Sequence, residues 1–380
     1  MYVADAHRNV RPWLALGMAF CLLLSIGCGD GRSPANAPAP PVTVPFDPGP
    51  IPTSRRATEW PFDQHSIWNM PIGSNAVYVA ANTAAAEGVY ADEDILVLTP
   101  DVPLVDIFFN DAGWTGRDRC PALGPSAMTA PIPSSLIIPS DGANYALAVL
   151  MPDRHTIRQT QPLAHCTAGG PFTSWVVFDN ADLFADGIQG AHGGSGLSSI
   201  GGTIRVGELA PRAPGIRHAL KINLDAQHSL WACKTPSDCY RWPADKADGY
   251  AIGYYGGTNP ALKMGALLAL PPSLDINKME LETEAAVRLA WTLQNYGGYV
   301  VDDTFSNNYG VAFERGPNGR AKDLFQADWG FSPTIYSGSH PWLRDMKRLF
   351  SQLQVVDNNG PSSVGGGGTP REPLAPPFAP

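Results

Sequence analysis

Arg217-His218-Ala219-Leu220-Lys221-Ile222-Asn223-Leu224 is the clearest strand in the chain, and the fold class follows from it. His218, Leu220, Ile222 and Leu224 fall on one side of an extended backbone, and Arg217, Lys221 and Asn223 on the other. A period of two marks a strand, because successive side chains point to opposite faces. On either side of it, residues 95–98, 104–109, 135–138, 145–151, 174–178 and 203–206 are short and rich in β-branched, aromatic or aliphatic residues. Gly, Pro, Asn or Asp bound them, as at strand ends. Two later segments carry helical spacing instead. Leu281, Ala285, Leu289, Leu293 and Tyr296 recur over 280–296, and Leu343, Met346, Leu349 and Leu353 over 341–355, with Pro341 near its start. Strands first and helices later predict a mainly β, α+β domain. Its expected core is an antiparallel sandwich or jelly roll with two or three peripheral helices.

The chain ends read differently. Arg8 and Arg11 precede an apolar run from Trp13 to Leu24, about 12 residues and too short for a permanent membrane span. Gly27-Cys28 follows, and the whole resembles the signal of bacterial lipoproteins, with acylation expected at Cys28. Residues 1–28 are thus expected to be a signal peptide and 29–56 a Pro-rich linker. Residues 57–359 form one β-rich domain, and 360–380 a Gly/Pro-rich tail, either disordered or wrapped along the surface. The expected location is outside the cytoplasm, with the membrane reached through the lipid. Net charge is −9 with 16% charged residues and no basic run, so nucleic acid is not an expected partner. With Cys28 assigned to lipid, Cys120, Cys166, Cys233 and Cys239 remain, an even number for an oxidising compartment. Cys233 and Cys239 flank a turn-forming Lys-Thr-Pro-Ser-Asp, which predicts a local disulfide, and Cys120–Cys166 follows by elimination.

Several blocks occur together: Ser66-Ile67-Trp68-Asn69, Ile216-Arg217-His218-Ala219-Leu220, Arg241-Trp242-Pro243-Ala244, Lys263-Met264-Gly265, and Tyr296-Gly297 through Asp302-Asp303. Over roughly residues 60–315 their order resembles a family of secreted bacterial proteins. Its signature is an IRHAL strand, then WPA, MG, a Tyr-Gly turn and an Asp-containing strand. That family has no settled activity. Some relatives read Asp-Asn where this chain has Asp302-Asp303, which makes Asp302 the better catalytic candidate of the two.

The chemical candidates come from carboxylates and histidines near strand ends. Glu208 would sit near His218 if 203–206 and 217–224 formed a hairpin, and a carboxylate beside a His can steer proton transfer. Asp302 ends an apolar strand and would supply the second carboxylate that glycosidic cleavage needs. These three form the expected catalytic set. His192, in the Gly-rich Gly190–Gly196 stretch, Trp242, Arg205, Arg217 and Asp303 are expected around the ligand. Ser195 does not lie in G-x-S-x-G. No H-x-H, H-E-x-x-H or EF-hand-like spacing occurs, so neither a metal nor another cofactor is expected. Lys221, an odd number of positions from His218, points the other way and stays outside the set. Trp68, Trp114, Trp231, Trp242, Tyr250, Tyr254 and Tyr255 are candidate sugar-stacking platforms, of which at most two or three are expected to line a site. The expected activity is cleavage of an extracellular or envelope polysaccharide by a glycoside hydrolase or lyase, the alternative being a carbohydrate- or envelope-binding lipoprotein.

Overall fold

The computed structural model describes residues 45–380, so the signal peptide and Cys28 lie outside the described residues. Seven strands carry the architecture: β1 (Gly88–Val97), β2 (Leu147–Leu150), β3 (Thr156–Gln161), β4 (Leu220–Leu224), β5 (Leu267–Ala269), β6 (Gly298–Asp303) and β7 (Asn308–Gly316). They lie in the order β5-β6-β4-β7-β1-β2-β3 within a twelve-stranded sheet. Helices α1 (Glu284–Asn295), α2 (Ala321–Trp329) and α3 (Pro341–Gln352) accompany them. A second, three-stranded sheet is built from Ser126–Pro131, Leu104–Phe109 and Phe172–Ser174.

The protein is mainly β, with helices alongside. Antiparallel pairing holds at both flanks, but the centre is mixed: β6 with β4, β7 with β1, and β1 with β2 run parallel. Parallel neighbours cannot be joined by a tight turn and require a crossover. Between β4 and β6 that crossover includes α1. The expected 203–206 strand is reduced to a single bridge between Ile204 and Phe313, so the hairpin with 217–224 does not form. Residues 135–138 likewise keep only the bridge from Ile138 to His165.

One face of the sheet is apolar. Leu220, Ile222, Leu224, Val300, Val311 and Phe313 pack with Leu289 and Leu293 of α1, Phe325 of α2 and Met346 and Leu349 of α3. Thr283 caps α1, its hydroxyl accepting from the Ala286 amide, which supplies a partner for an otherwise orphaned donor. The opposite face is apolar at one end, around Trp68, Tyr299 and Val301. In the middle it is polar, although Lys221 and Asn223 of β4 are as buried as their apolar neighbours.

The disulfides Cys120–Cys166 and Cys233–Cys239 are both present. The last part of the Pro-rich segment is packed rather than free: Phe46 lies edge-on to Trp291, and Arg55 is buried beneath Phe378. The tail wraps along the domain, with the Arg371 amide donating to Ile72 and Glu372 paired with Arg217 at 2.8 Å. Among the described residues no helix is long and apolar enough to cross a membrane.

Candidate functional site

The polar face of the sheet is assembled from adjacent strands. β1 contributes Tyr90, Asp92 and Asp94, every second residue, and β4 contributes Lys221 and Asn223. Between them, β7 places Gly310 opposite Tyr90 and Ala312 opposite Asp92. These small residues leave a trough. A Cβ on Gly310 would lie 2.8 Å from the Cβ of Asn223 and 2.9 Å from the Tyr90 ring. Asp302 reaches the same face through an irregularity in β6. The pairing with β4 runs Ile222 opposite Val300, then Asn223 opposite Asp302. Strict alternation would send Asp302 to the helical side with Val300; a bulge re-aims it.

The side chains form one connected set. The Lys221 ammonium lies 2.9 Å from Asp94 Oδ2 and donates to the Thr203 hydroxyl at 3.1 Å. The Asn223 amide donates to Asp92 Oδ2 at 2.9 Å. Asn144 bridges the two segments, donating to Asp302 Oδ2 at 2.7 Å and to Asp92 Oδ2 at 3.3 Å. The amides of Gly194 and Asp303 donate to Asp302 Oδ1 at 3.1 and 2.9 Å. Gly193 has φ +50°, and a Cβ there would run into the Asp302 carboxyl. The glycine thus admits the close approach that delivers the Gly194 N–H. His192 Nε2 lies 3.4 Å from Asp94 Oδ1 and 3.8 Å from Asp92 Oδ2, with the ring 0% exposed.

Burial dominates the electrostatics, because desolvation disfavours charged forms. It raises Asp94 to about 6 against the pull of Lys221, and it raises Asp92 despite two amide donors. Burial first, then the negative charges of Asp248 and Asp92, push Asp302 well above the carboxylate range. Burial and Lys221 hold His192 well below its ordinary value, as a neutral ring. Asp248 stands beside Gly194, accepts from the Tyr255 hydroxyl at 2.6 Å and is raised to about 6, chiefly by burial.

A cleft of about 540 Å³ opens onto this set, with Asp92, Asn144 and Asp303 in its wall. Trp114, Phe305 and Tyr336 also line it and are 45%, 67% and 64% exposed. Its charged lining is Asp92, Glu93, Asp141, Asp303 and Asp323 against Lys322. Trp114 Nε1 donates to Asn144 Oδ1 at 2.9 Å, tying the rim to the floor.

The expected catalytic set is divided. His218 Nε2 and the Glu208 carboxylate are 3.2 Å apart, brought together by a turn rather than a hairpin, in which Glu208 accepts from the Arg205 amide. Burial alone would lower His218 and raise Glu208; their mutual attraction outweighs it and shifts each the other way. Among the described residues, neither bonds to Asp302 or to the groups that hold it, and neither lines the cleft. Nor do the expected binding residues gather. Arg205 is paired with Glu314 and Arg217 with Glu372, each at 2.8 Å. Trp242 packs against the core around Trp68 and Tyr299. His192 lies on the short strand Gln189–His192, fully buried, and does not line the cleft. Asp303 does line the cleft, held by the Tyr250 hydroxyl at 3.2 Å. Sequence reasoning missed Asp92, Asp94, Lys221, Asn144 and Asn223. The available signal was Asp92 and Asp94, spaced by two and running directly into the apolar Ile95–Val97. No family model, curated protein or solved structure matches the chain.

Proposed function

We propose that the protein hydrolyses a neutral extracellular or cell-envelope polysaccharide in the cleft above Asp92 and Asp302, while tethered to the membrane by a lipid on Cys28. The observation that carries this reading is the pairing of exposed aromatic rings with an acidic floor. Trp114, Phe305 and Tyr336 offer flat apolar faces to solvent around a polar cleft, an arrangement suited to the C–H faces of sugar rings. Asp92, Asp141, Asp303 and Asp323 in the wall disfavour a uronate-bearing chain, because the lysine there, Lys322, is already paired with Glu93 at 2.9 Å. Arg205 and Arg217, the cations that could neutralise a uronate, are engaged elsewhere. Hydrolysis is therefore favoured over β-elimination. The lipoprotein-like signal, the resemblance to secreted bacterial proteins and the two disulfides support an extracytoplasmic setting.

The test is a polysaccharide panel incubated with the full chain, read for reducing ends and for absorbance of unsaturated products. The expected result is new reducing ends from a neutral glycan without unsaturated products. Binding of glycans without release of ends would favour the carbohydrate-binding alternative. Unsaturated products from an acidic glycan would overturn the assignment.

A further inference from the structure

We propose that Asp92, His192 and Asp302 hold a divalent cation of the Mn²⁺/Zn²⁺ class just beneath the cleft wall that Asp92 forms. One donor atom from each lies within 4.8 Å of the other two, close to the roughly 4.2 Å that two ligands at about 2.1 Å from a metal can span. The second observation is His192 itself. Both ring nitrogens are buried and neither has a hydrogen-bond partner. Buried polar atoms are nearly always partnered, and an imidazole with two unmet nitrogens is an exception that needs a cause. A metal taking the Nε2 lone pair would satisfy one of the two. Asp92, Asp94 and Asp302 share the buried trough with a single ammonium, Lys221.

The surroundings match a metal centre. Asn144 and Asn223 hold Asp92, and backbone amides of Gly194 and Asp303 hold Asp302. Hydrogen bonds of this kind orient ligating carboxylates. One imidazole and two carboxylates suit Mn²⁺ or Zn²⁺, whereas Ca²⁺ takes six to eight oxygens. Three protein ligands, with Asp92 in the cleft wall, leave a coordination position for water or ligand, as catalytic rather than structural sites do. The cation site goes beyond the glycan reading and stands whether or not a polysaccharide is the substrate.

The full chain, stripped with EDTA, would be titrated with Mn²⁺, Zn²⁺ and Ca²⁺ by calorimetry, with bound Mn²⁺ counted by electron paramagnetic resonance. One equivalent of Mn²⁺ or Zn²⁺ is expected, in preference to Ca²⁺, together with a raised melting temperature. His192→Gln and Asp302→Asn should each weaken binding by at least about 100-fold while circular dichroism stays unchanged. The melting-temperature shift of the unmutated chain tests the site even if a variant fails to fold. The proposal is overturned if the stripped chain takes up neither metal stoichiometrically, if Ca²⁺ is preferred, or if a folded His192→Gln chain binds as the parent does. Polysaccharide cleavage is read by a separate assay, so failure of one reading leaves the other standing.

Discussion

Lys221 is fully buried, and its ammonium is kept there by Asp94 at 2.9 Å and by Thr203. Removing one partner of such a pair leaves the other desolvated and unpaired, which costs about 3–5 kcal/mol. Lys221→Met should therefore lower the unfolding free energy in urea by about that amount; a loss below about 1 kcal/mol would contradict the pairing. Glu208 and His218 make a second, separate pair. His218 is raised above its ordinary 6.5 and Glu208 lowered below 4.5. His218 contributes stability that is full below pH 6.5 and lost as pH rises through its folded value. Glu208 contributes stability that is full above pH 4.5 and lost as pH falls through its folded value. The destabilisation caused by Glu208→Gln should thus peak between about pH 4.5 and 6.5 and shrink on both sides. A pH-independent difference in melting temperature would contradict it. The residue-level reading of the sequence went astray at Lys221 for a physical reason. Odd spacing from His218 does put it on the other face, but that face is the buried trough. Alternation tells which residues share a face, not which face meets water.

At the level of elements, the strand β4 and the helices α1 and α3 were legible, because their apolar residues recur with an unambiguous period. Parallel pairing was not. It depends on crossovers between distant segments, and no local period encodes it. The bulge in β6 was equally silent, yet it alone turns Asp302 onto the polar face. Asp302 was identified as a candidate, but its partners were expected in the wrong place. The short loop 111–122 carries Trp114 to the cleft rim and is fastened by Cys120–Cys166, with a sequence separation of 46. Cys233–Cys239 closes a separation of only 6. Chain entropy alone assigns about 4 kcal/mol to the longer closure and about 2 kcal/mol to the shorter. Replacing both cysteines of the first pair by Ser should lower urea stability more than the same change in the second. Equal losses, or the reverse order, would contradict that ranking.

Across the whole molecule, both ends of the described chain lie on the domain. Arg55 donates to the carbonyls of Pro61, Phe62 and Pro376, and its guanidinium lies 3.8 Å from the Phe378 ring centroid. Arg217 is closed in by Glu372 and the Gly49 carbonyl. Composition alone left the tail undecided between disorder and wrapping, since Gly and Pro serve either state. Truncation after Gly360 would strip partners from two buried guanidinium groups. Its melting temperature should fall by at least about 5 °C, given about 2–4 °C per kcal/mol for a domain of this size. An unchanged melting temperature would mean the tail adds nothing.

The candidate site lies where β1, β4 and β6 meet the cleft, apart from the Glu208–His218 pair. The most direct measurement compares reducing-end release by the parent chain, Asp302→Asn and Glu208→Gln on a neutral polysaccharide that the parent cleaves. Asp302→Asn should lose at least about 100-fold in turnover, whereas Glu208→Gln should keep turnover within a few-fold at a temperature where both variants are folded. Loss of activity in Glu208→Gln with retention in Asp302→Asn would place the chemistry at the other pair and contradict the site.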